Sequence, residues 1–244
     1  MTNENTDNSQ IEYVLQADIS KAGYEENKTA ISNIQINVGQ GELVGLIGPN
    51  GAGKSTTIKS ILGLMPHMQG QITIGGSNKR WAYVPEQPIY YEYFTLWEHL
   101  QLAASAYEIT EEQFIPRAEQ LLERFRLTKE RDHYPTSFSK GMQQKLMLII
   151  AFLLEPDVYI VDEPFVGLDP RATQDFLALL DAARCSGAGV LMSTHVLDTA
   201  ERLCDRFILV NSGTVVASGT ISDIREQAAL YDRATLFDCF QALT

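Results

Sequence analysis

Apolar and polar positions follow two rhythms along this chain. Ile11 to Ile19 and Ala30 to Val38 alternate apolar with polar residues around the turn-like Gly23-Tyr24-Glu25-Glu26-Asn27, so they predict an antiparallel hairpin. Leu43 to Ile47 is a short unbroken apolar run, the form of a buried strand, and helical spacing from Lys54 to Leu64 follows until Pro66. Gln71 to Ile74 and Trp81 to Val84 read as short strands separated by Gly75-Gly76-Ser77-Asn78. This strand-helix-strand order predicts a doubly wound α/β core.

From Thr95 the pattern turns helical, with one helix near Leu96 to Tyr107 and another near Glu111 to Phe125, which together look like a helical insert. Ser139 stands where an N-cap belongs, and an apolar helix from Met142 to Leu154 is stopped by Pro156. Val158 to Val161 and Gly189 to Ser193 then predict two buried strands flanking a helix from Pro170 to Arg184. Beyond Phe207 a hairpin across Asn211-Ser-Gly213 is expected, then one or two helices. No internal repeat is visible.

A length of 244 residues suits one large α/β domain carrying an insert. We therefore expect residues 11–244 to form a single domain, with a helical subdomain over about 90–150 and a C-terminal helical segment over 220–244. The longest apolar run, Leu146 to Leu154, falls far short of the roughly 20 residues a membrane-spanning helix needs. Met1 to Gln10 is polar and acidic, without a cationic-then-apolar pattern, so a disordered tail and no secretory signal are expected. Net charge is −12, from 19 basic and 31 acidic residues, which opposes unspecific binding to nucleic acid or anionic lipid. Cys185, Cys204 and Cys239 lack C-x-x-C spacing and do not cluster with the four histidines, which fits a reducing cytosol better than structural zinc.

The strongest chemical signal is Gly48-Pro-Asn-Gly-Ala-Gly-Lys-Ser-Thr56, a P-loop pattern placed between an apolar strand and a helix. A triphosphate needs many donors at close range, and glycines here let several backbone N–H groups point at one spot. Gly48, Pro49, Asn50, Gly51, Ala52, Gly53, Lys54, Ser55 and Thr56 are therefore candidate nucleotide-binding residues. The Lys54 ammonium would reach the β- and γ-phosphates, and the Ser55 hydroxyl would hold Mg²⁺. Downstream, Asp157-Val-Tyr-Ile-Val-Asp-Glu-Pro164 has the form of a buried strand ending in two carboxylates, a Walker B pattern. Successive strand side chains point to opposite sides, so Asp162 can serve the metal while Glu163 acts on the attacking water as base or orienter.

With Phe138-Ser-Lys-Gly-Met-Gln-Gln-Lys145 between the helical block and that strand, the chain resembles the ATP-binding cassette (ABC) ATPases. The segment is similar to that family's Leu-Ser-Gly-Gly-Gln signature, with Lys140 in place of the first glycine and Met142 in place of the glutamine. Ser139 and Gly141 keep their positions. The resemblance implies a P-loop NTPase fold of ABC type: a RecA-like, mostly parallel core sheet, an antiparallel β subdomain and a helical subdomain. It implies ATP and Mg²⁺ as ligands, and a signature that serves the nucleotide of a second ABC ATPase subunit, in a homodimer or a heterodimer.

The family pattern also implies that Asp169, in Phe165-Val-Gly-Leu-Asp169, sits at the dimer seam, and that His195 contacts the γ-phosphate. Tyr24, 24 residues before Gly48, stands where the family stacks an aromatic on adenine, a placement that rests on spacing, with a plain turn tyrosine as the alternative. The family's glutamine after the next strand falls in Tyr83-Val-Pro-Glu-Gln87: register favours Glu86, and Gln87 stays a candidate. Aromatics from Tyr90 to Trp97 would either meet a transmembrane permease subunit or pack within the insert. Pro85 to Leu100, Phe138 to Met142 and Ser193 to Arg202 narrow the similarity to ATPase subunits of Ecs-type transporters, implying a cytoplasmic protein, peripheral on the membrane, and a tilt towards export. A soluble ABC ATPase acting as an ATP-gated clamp is the competing reading, opposed by the single P-loop and the acidity. A kinase or GTPase is opposed by the lack of an Asn-Lys-x-Asp motif and by the ordered set Ser139, Glu163, Asp169 and His195.

Overall fold

The computed structural model describes residues 13–76 and 78–244. The expected tail, Met1 to Gln10, and the first two residues of the expected opening strand lie outside them. Two sheets form the framework. In the first, strand β1 (Tyr13–Gly23) pairs antiparallel with β2 (Ile31–Gly39) on one side and β4 (His67–Ile74) on the other. The second runs β5 (Trp81–Val84), β6 (Val158–Asp162), β7 (Gly189–Thr194), β3 (Leu43–Ile47), β8 (Arg206–Asn211), β9 (Thr214–Gly219), parallel except for the β8–β9 hairpin.

Composition explains the division. All residues of β3, β6 and β7 are buried, as central parallel strands covered on both faces must be, whereas β1 alternates buried and exposed positions like a strand with one face in water. Among the described residues eight α-helices pack around the sheets: α1 (Lys54–Ile61), α2 (Leu96–Ala106), α3 (Glu111–Phe125), α4 (Lys140–Leu153), α5 (Pro170–Cys185), α6 (Leu197–Leu203), α7 (Ile221–Gln227) and α8 (Leu236–Leu243). One apolar cluster joins α2, α3, α4 and α5 to the core sheet, and a second lies between the antiparallel sheet, α1 and the core strands. A third gathers β8, β9 and the C-terminal helices.

Three expectations change. The strand expected at Gln71 to Ile74 begins at His67 and leaves the core for the antiparallel sheet, so the P-loop helix is not followed at once by a core strand. Its half-exposed pattern fits an outer sheet. Helix α1 ends at Ile61 rather than Leu64, because Gly63 turns left-handed (φ 71°) and reverses the chain before Pro66. Helix α6 follows Ser193-Thr-His195 directly, where no helix was expected. Ser139 caps α4 as expected, its hydroxyl accepting from the Met142 N–H.

Candidate functional site

The parallel strands β3, β6 and β7 all end at one edge, so the loops after them converge. A cavity of about 370 Å³ opens there, lined by Pro49, Asn50, Gly51, Gly53, Lys54, Ser55 and Thr56 of the P-loop and by Glu86, Glu163 and His195. Gly53, at φ 109°, turns the chain into α1, whose first N–H groups receive no side-chain cap and have no acid in the first turn. Those free donors make this helix start an anion site. Gly48 lies beneath the loop against β8: a Cβ there would fall 2.3 Å from the Val210 carbonyl oxygen. Ala52 is buried as well, its carbonyl accepting from the Gly213 N–H.

One ammonium ties this cavity together. Lys54 Nζ donates to the carbonyls of Gly48 (2.8 Å) and Pro49 (3.3 Å) and stands 3.5 Å from Glu163 Oε1, with both side chains almost wholly buried. The same Glu163 oxygen lies 2.9 Å from His195 Nδ1. Glu163 adopts a left-handed φ of 46°, which a non-glycine residue keeps only where its surroundings hold it. Ser193 supplies that hold: its carbonyl and its hydroxyl both face the Glu163 N–H, at 3.2 and 3.3 Å, and its hydroxyl also donates to Asp162. Ser193 was singled out in the sequence only as part of the tripeptide around His195. Its signal is positional, since the β6–β7 ladder pairs it with Asp162.

The expected metal ligands are placed unevenly. Ser55 and Glu86 line the cavity, Asp162, 3% exposed, lies just behind the lining residue Glu163 without lining the cavity itself, and Gln87 is exposed outside it. Burial pushes the Tyr83 hydroxyl up to about 12, and the negative charges of Asp162 and Glu86 push it further the same way. Those two carboxylates therefore share one electrostatic neighbourhood. Hydroxyl and carboxylate oxygens are the hard donors Mg²⁺ prefers, so this set fits that ion. Among the described residues no three His, Cys, Asp or Glu side chains form a ready-made metal cluster, so phosphate and water would complete the shell.

Ser139, Gly141 and Asp169 do not line this cavity; they form a second cluster. A Cβ on Gly141 would meet the Gly167 carbonyl oxygen at 2.7 Å, so the start of α4 lies directly on the loop before α5. Asp169 caps α5 by accepting from the Ala172 N–H (2.8 Å) and also takes Lys145 Nζ (2.8 Å). The Lys145 hydrogen bond, then the Ala172 N–H, lower its pKa to about 2. Because the carbonyl facing Gly141 is backbone and cannot swing away, Gly141→Ala is expected to displace the loop and reduce ATP turnover on the order of 10²-fold. Steady-state phosphate release, compared at matched melting temperature, checks this.

Tyr24 also lies outside the cavity, in the β1–β2 turn, exposed, with the Lys59 ammonium 5.6 Å from its ring centroid. The aromatics from Tyr90 to Trp97 divide. Trp97 packs on Phe114 and carries the Arg131 guanidinium 3.4 Å above its ring, and Tyr90 accepts from Gln143 Nε2. Ile89, Tyr91 and Tyr93 are exposed. His99 props the segment from below, accepting from the Tyr91 N–H at Nε2 and placing Nδ1 2.7 Å from the Thr95 carbonyl. Burial lowers its pKa, in keeping with a neutral ring that accepts on one side and donates on the other.

A strand-loop-helix phosphate cradle, two carboxylates ending the neighbouring strand and a mostly parallel sheet define a P-loop NTPase. The particular family is equally plain. The ABC transporter family model matches residues 31–166, more than half of the chain, and the chain belongs to that family as an ATP-binding, ATP-hydrolysing protein. It is 49% identical to YthP, an uncharacterized ABC transporter ATP-binding protein of Bacillus subtilis strain 168, over 93% of this chain and 95% of that one. It is 46% identical to the ABC-type transporter ATP-binding protein EcsA of the same organism, over 91% and 93%. A solved ATP-binding subunit of an ABC transporter superposes with a TM-score of 0.88 at 44% identity, covering 94% of this chain and 99% of that one.

Proposed function

We propose that this chain is the ATPase subunit of an Ecs-type ABC exporter, working as a pair of cassettes beneath a separate transmembrane permease. The observation that carries this reading is the separation of its two clusters. One holds the P-loop, Glu163 and His195; the other holds Ser139, Gly141 and Asp169, which line no part of the first cavity. Each is half of a site that a second copy, or a related subunit, would complete, its α4 start facing the γ-phosphate of the partner's ATP.

In the closed pair, P-loop N–H groups and Lys54 hold the phosphates, and Tyr24 is offered to the adenine. Bound Mg²⁺ offsets phosphate charge, and Ser55, Asp162 and Glu86 are the residues that would hold it. Glu163 orients the attacking water and accepts its hydrogen bond, while His195, tied to the same carboxylate, is placed to contact the γ-phosphate. The exposed Ile89, Tyr91 and Tyr93 offer an apolar surface for a cytoplasmic helix of the permease. Among the described residues no helix is long and apolar enough to cross a membrane, so membrane attachment would come through that partner.

The test is to tag the Glu163→Gln chain, solubilise native membranes with ATP present and identify stoichiometric companions by mass spectrometry. A polytopic membrane protein is expected. Recovery solely with ribosomal, nucleic-acid or assembly partners would instead favour an ATP-gated clamp.

A further inference from the structure

A cavity of about 600 Å³ lies remote from the P-loop. It lies at the opposite edge of the core sheet, around the start of β6, and is walled by α3, the end of α4 and the C-terminal half of α5. Its size falls within the range of small-molecule sites. Its lining is amphipathic: Phe152 and Leu179 give apolar walls, while Arg117, Gln120, Arg124 and Tyr159 give polar groups.

Tyr159 is the telling residue. It is 3% exposed, its ring packs on Phe152 at 5.1 Å, and its hydroxyl, which makes no hydrogen bond to any described residue, stays open to the cavity rather than sealed in the core. A phenol held by its packed ring with its hydroxyl open to the cavity is a fixed donor that an acceptor bound there can reach. Burial raises its pKa, Glu155 adds to that and Arg117 opposes it, which places both charged groups near the hydroxyl.

The arginines are free to change partners at small cost. Arg117 donates to the Leu153 carbonyl (2.9 Å) and pairs at 2.8 Å with Glu155, whose side chain is 64% exposed. Arg124 meets Asp175 only at 3.6 Å. Partly exposed pairs of this kind contribute little and exchange readily. The remaining acid of the lining, Asp157, is already engaged by the N–H groups of Asn78 and Arg80.

We propose that this cavity is a binding site for a small amphipathic anion, an apolar body bearing a carboxylate. The carboxylate accepts from the Tyr159 hydroxyl and the Arg117 guanidinium, displacing Glu155 into water, and the body rests on Phe152 and Leu179, with Gln120 and Arg124 at the rim.

The probe is 4-(trifluoromethyl)phenylacetate, followed by ¹⁹F NMR on the full chain, with octanoate as competitor and 4-(trifluoromethyl)benzyl alcohol as neutral control. Saturable binding with a Kd below about 1 mM is expected, displaced by octanoate and not by a non-hydrolysable ATP analogue. Tyr159→Phe, which keeps the ring in place, should weaken it roughly tenfold, and Arg117→Gln at least as much. Should Arg117→Gln fail to fold, Tyr159→Phe decides alone. The proposal is overturned by no saturation up to about 10 mM, by equal binding of the alcohol, by displacement with nucleotide, or by unchanged affinity in Tyr159→Phe.

Discussion

Glu163→Gln is expected to lower ATP turnover by roughly 10²–10⁴-fold while leaving ATP affinity within a few-fold of the parent chain. The amide keeps the size of the carboxylate and one acceptor oxygen, so the contacts to Lys54 and His195 survive in shape, and Ser193 still fixes the backbone at its left-handed φ of 46°. What disappears is a group able to take a proton from water. In the proposed pair of cassettes, slow turnover with intact binding would keep ATP in place, so light scattering with ATP is expected to report a stable dimer for the variant. Turnover near the parental rate would remove Glu163 from the role proposed for it.

Much of this site was legible because its chemistry is contiguous in the chain. The P-loop announces itself over nine residues, and Asp162-Glu163 follows an apolar run that can only be a buried strand. Ser139 reads as a cap from the change of hydrophobic period after it. What the sequence left ambiguous depends on neighbours that are distant in the chain. Nothing local says that residues 67–74 pair with β1 rather than join the core, since a half-exposed strand of eight residues fits either sheet edge. Ser193 looks like one more residue of a buried strand until the β6–β7 register sets it beside Asp162.

The choice between Glu86 and Gln87 is likewise geometric. Both are exposed loop residues, and only the direction of the chain after β5 puts Glu86 at the cavity wall. A carboxylate there adds negative charge beside Asp162 and Glu163, which the P-loop N–H groups and Lys54, together with the proposed Mg²⁺, would offset. The aromatic stretch shows the same dependence on neighbours. Trp97 and Tyr90 turn inward because Phe114, Arg131 and Gln143 are there to receive them, whereas Tyr91 packs against Phe94 and His99 at the surface and, like Tyr93, stays exposed.

That offset depends most on Lys54, and Lys54→Ala is expected to weaken ATP binding by about 10–100-fold, the worth of charge-assisted hydrogen bonds to a buried partner. The lysine side chain is 6% exposed and its ammonium stands among two loop carbonyls and the Glu163 carboxylate, so it is both the counter-ion of Glu163 and the brace of the loop. Truncation removes the cation from beside a buried carboxylate and leaves it only His195. The β- and γ-phosphates would then enter a cavity whose fixed charge is negative. Lys54→Arg should rescue only partly, because the planar guanidinium keeps the charge but cannot fit three acceptors around one compact nitrogen. Titration calorimetry with a non-hydrolysable ATP analogue distinguishes the cases: an unchanged Kd in Lys54→Ala would mean that the backbone donors of the P-loop and α1 hold the triphosphate by themselves.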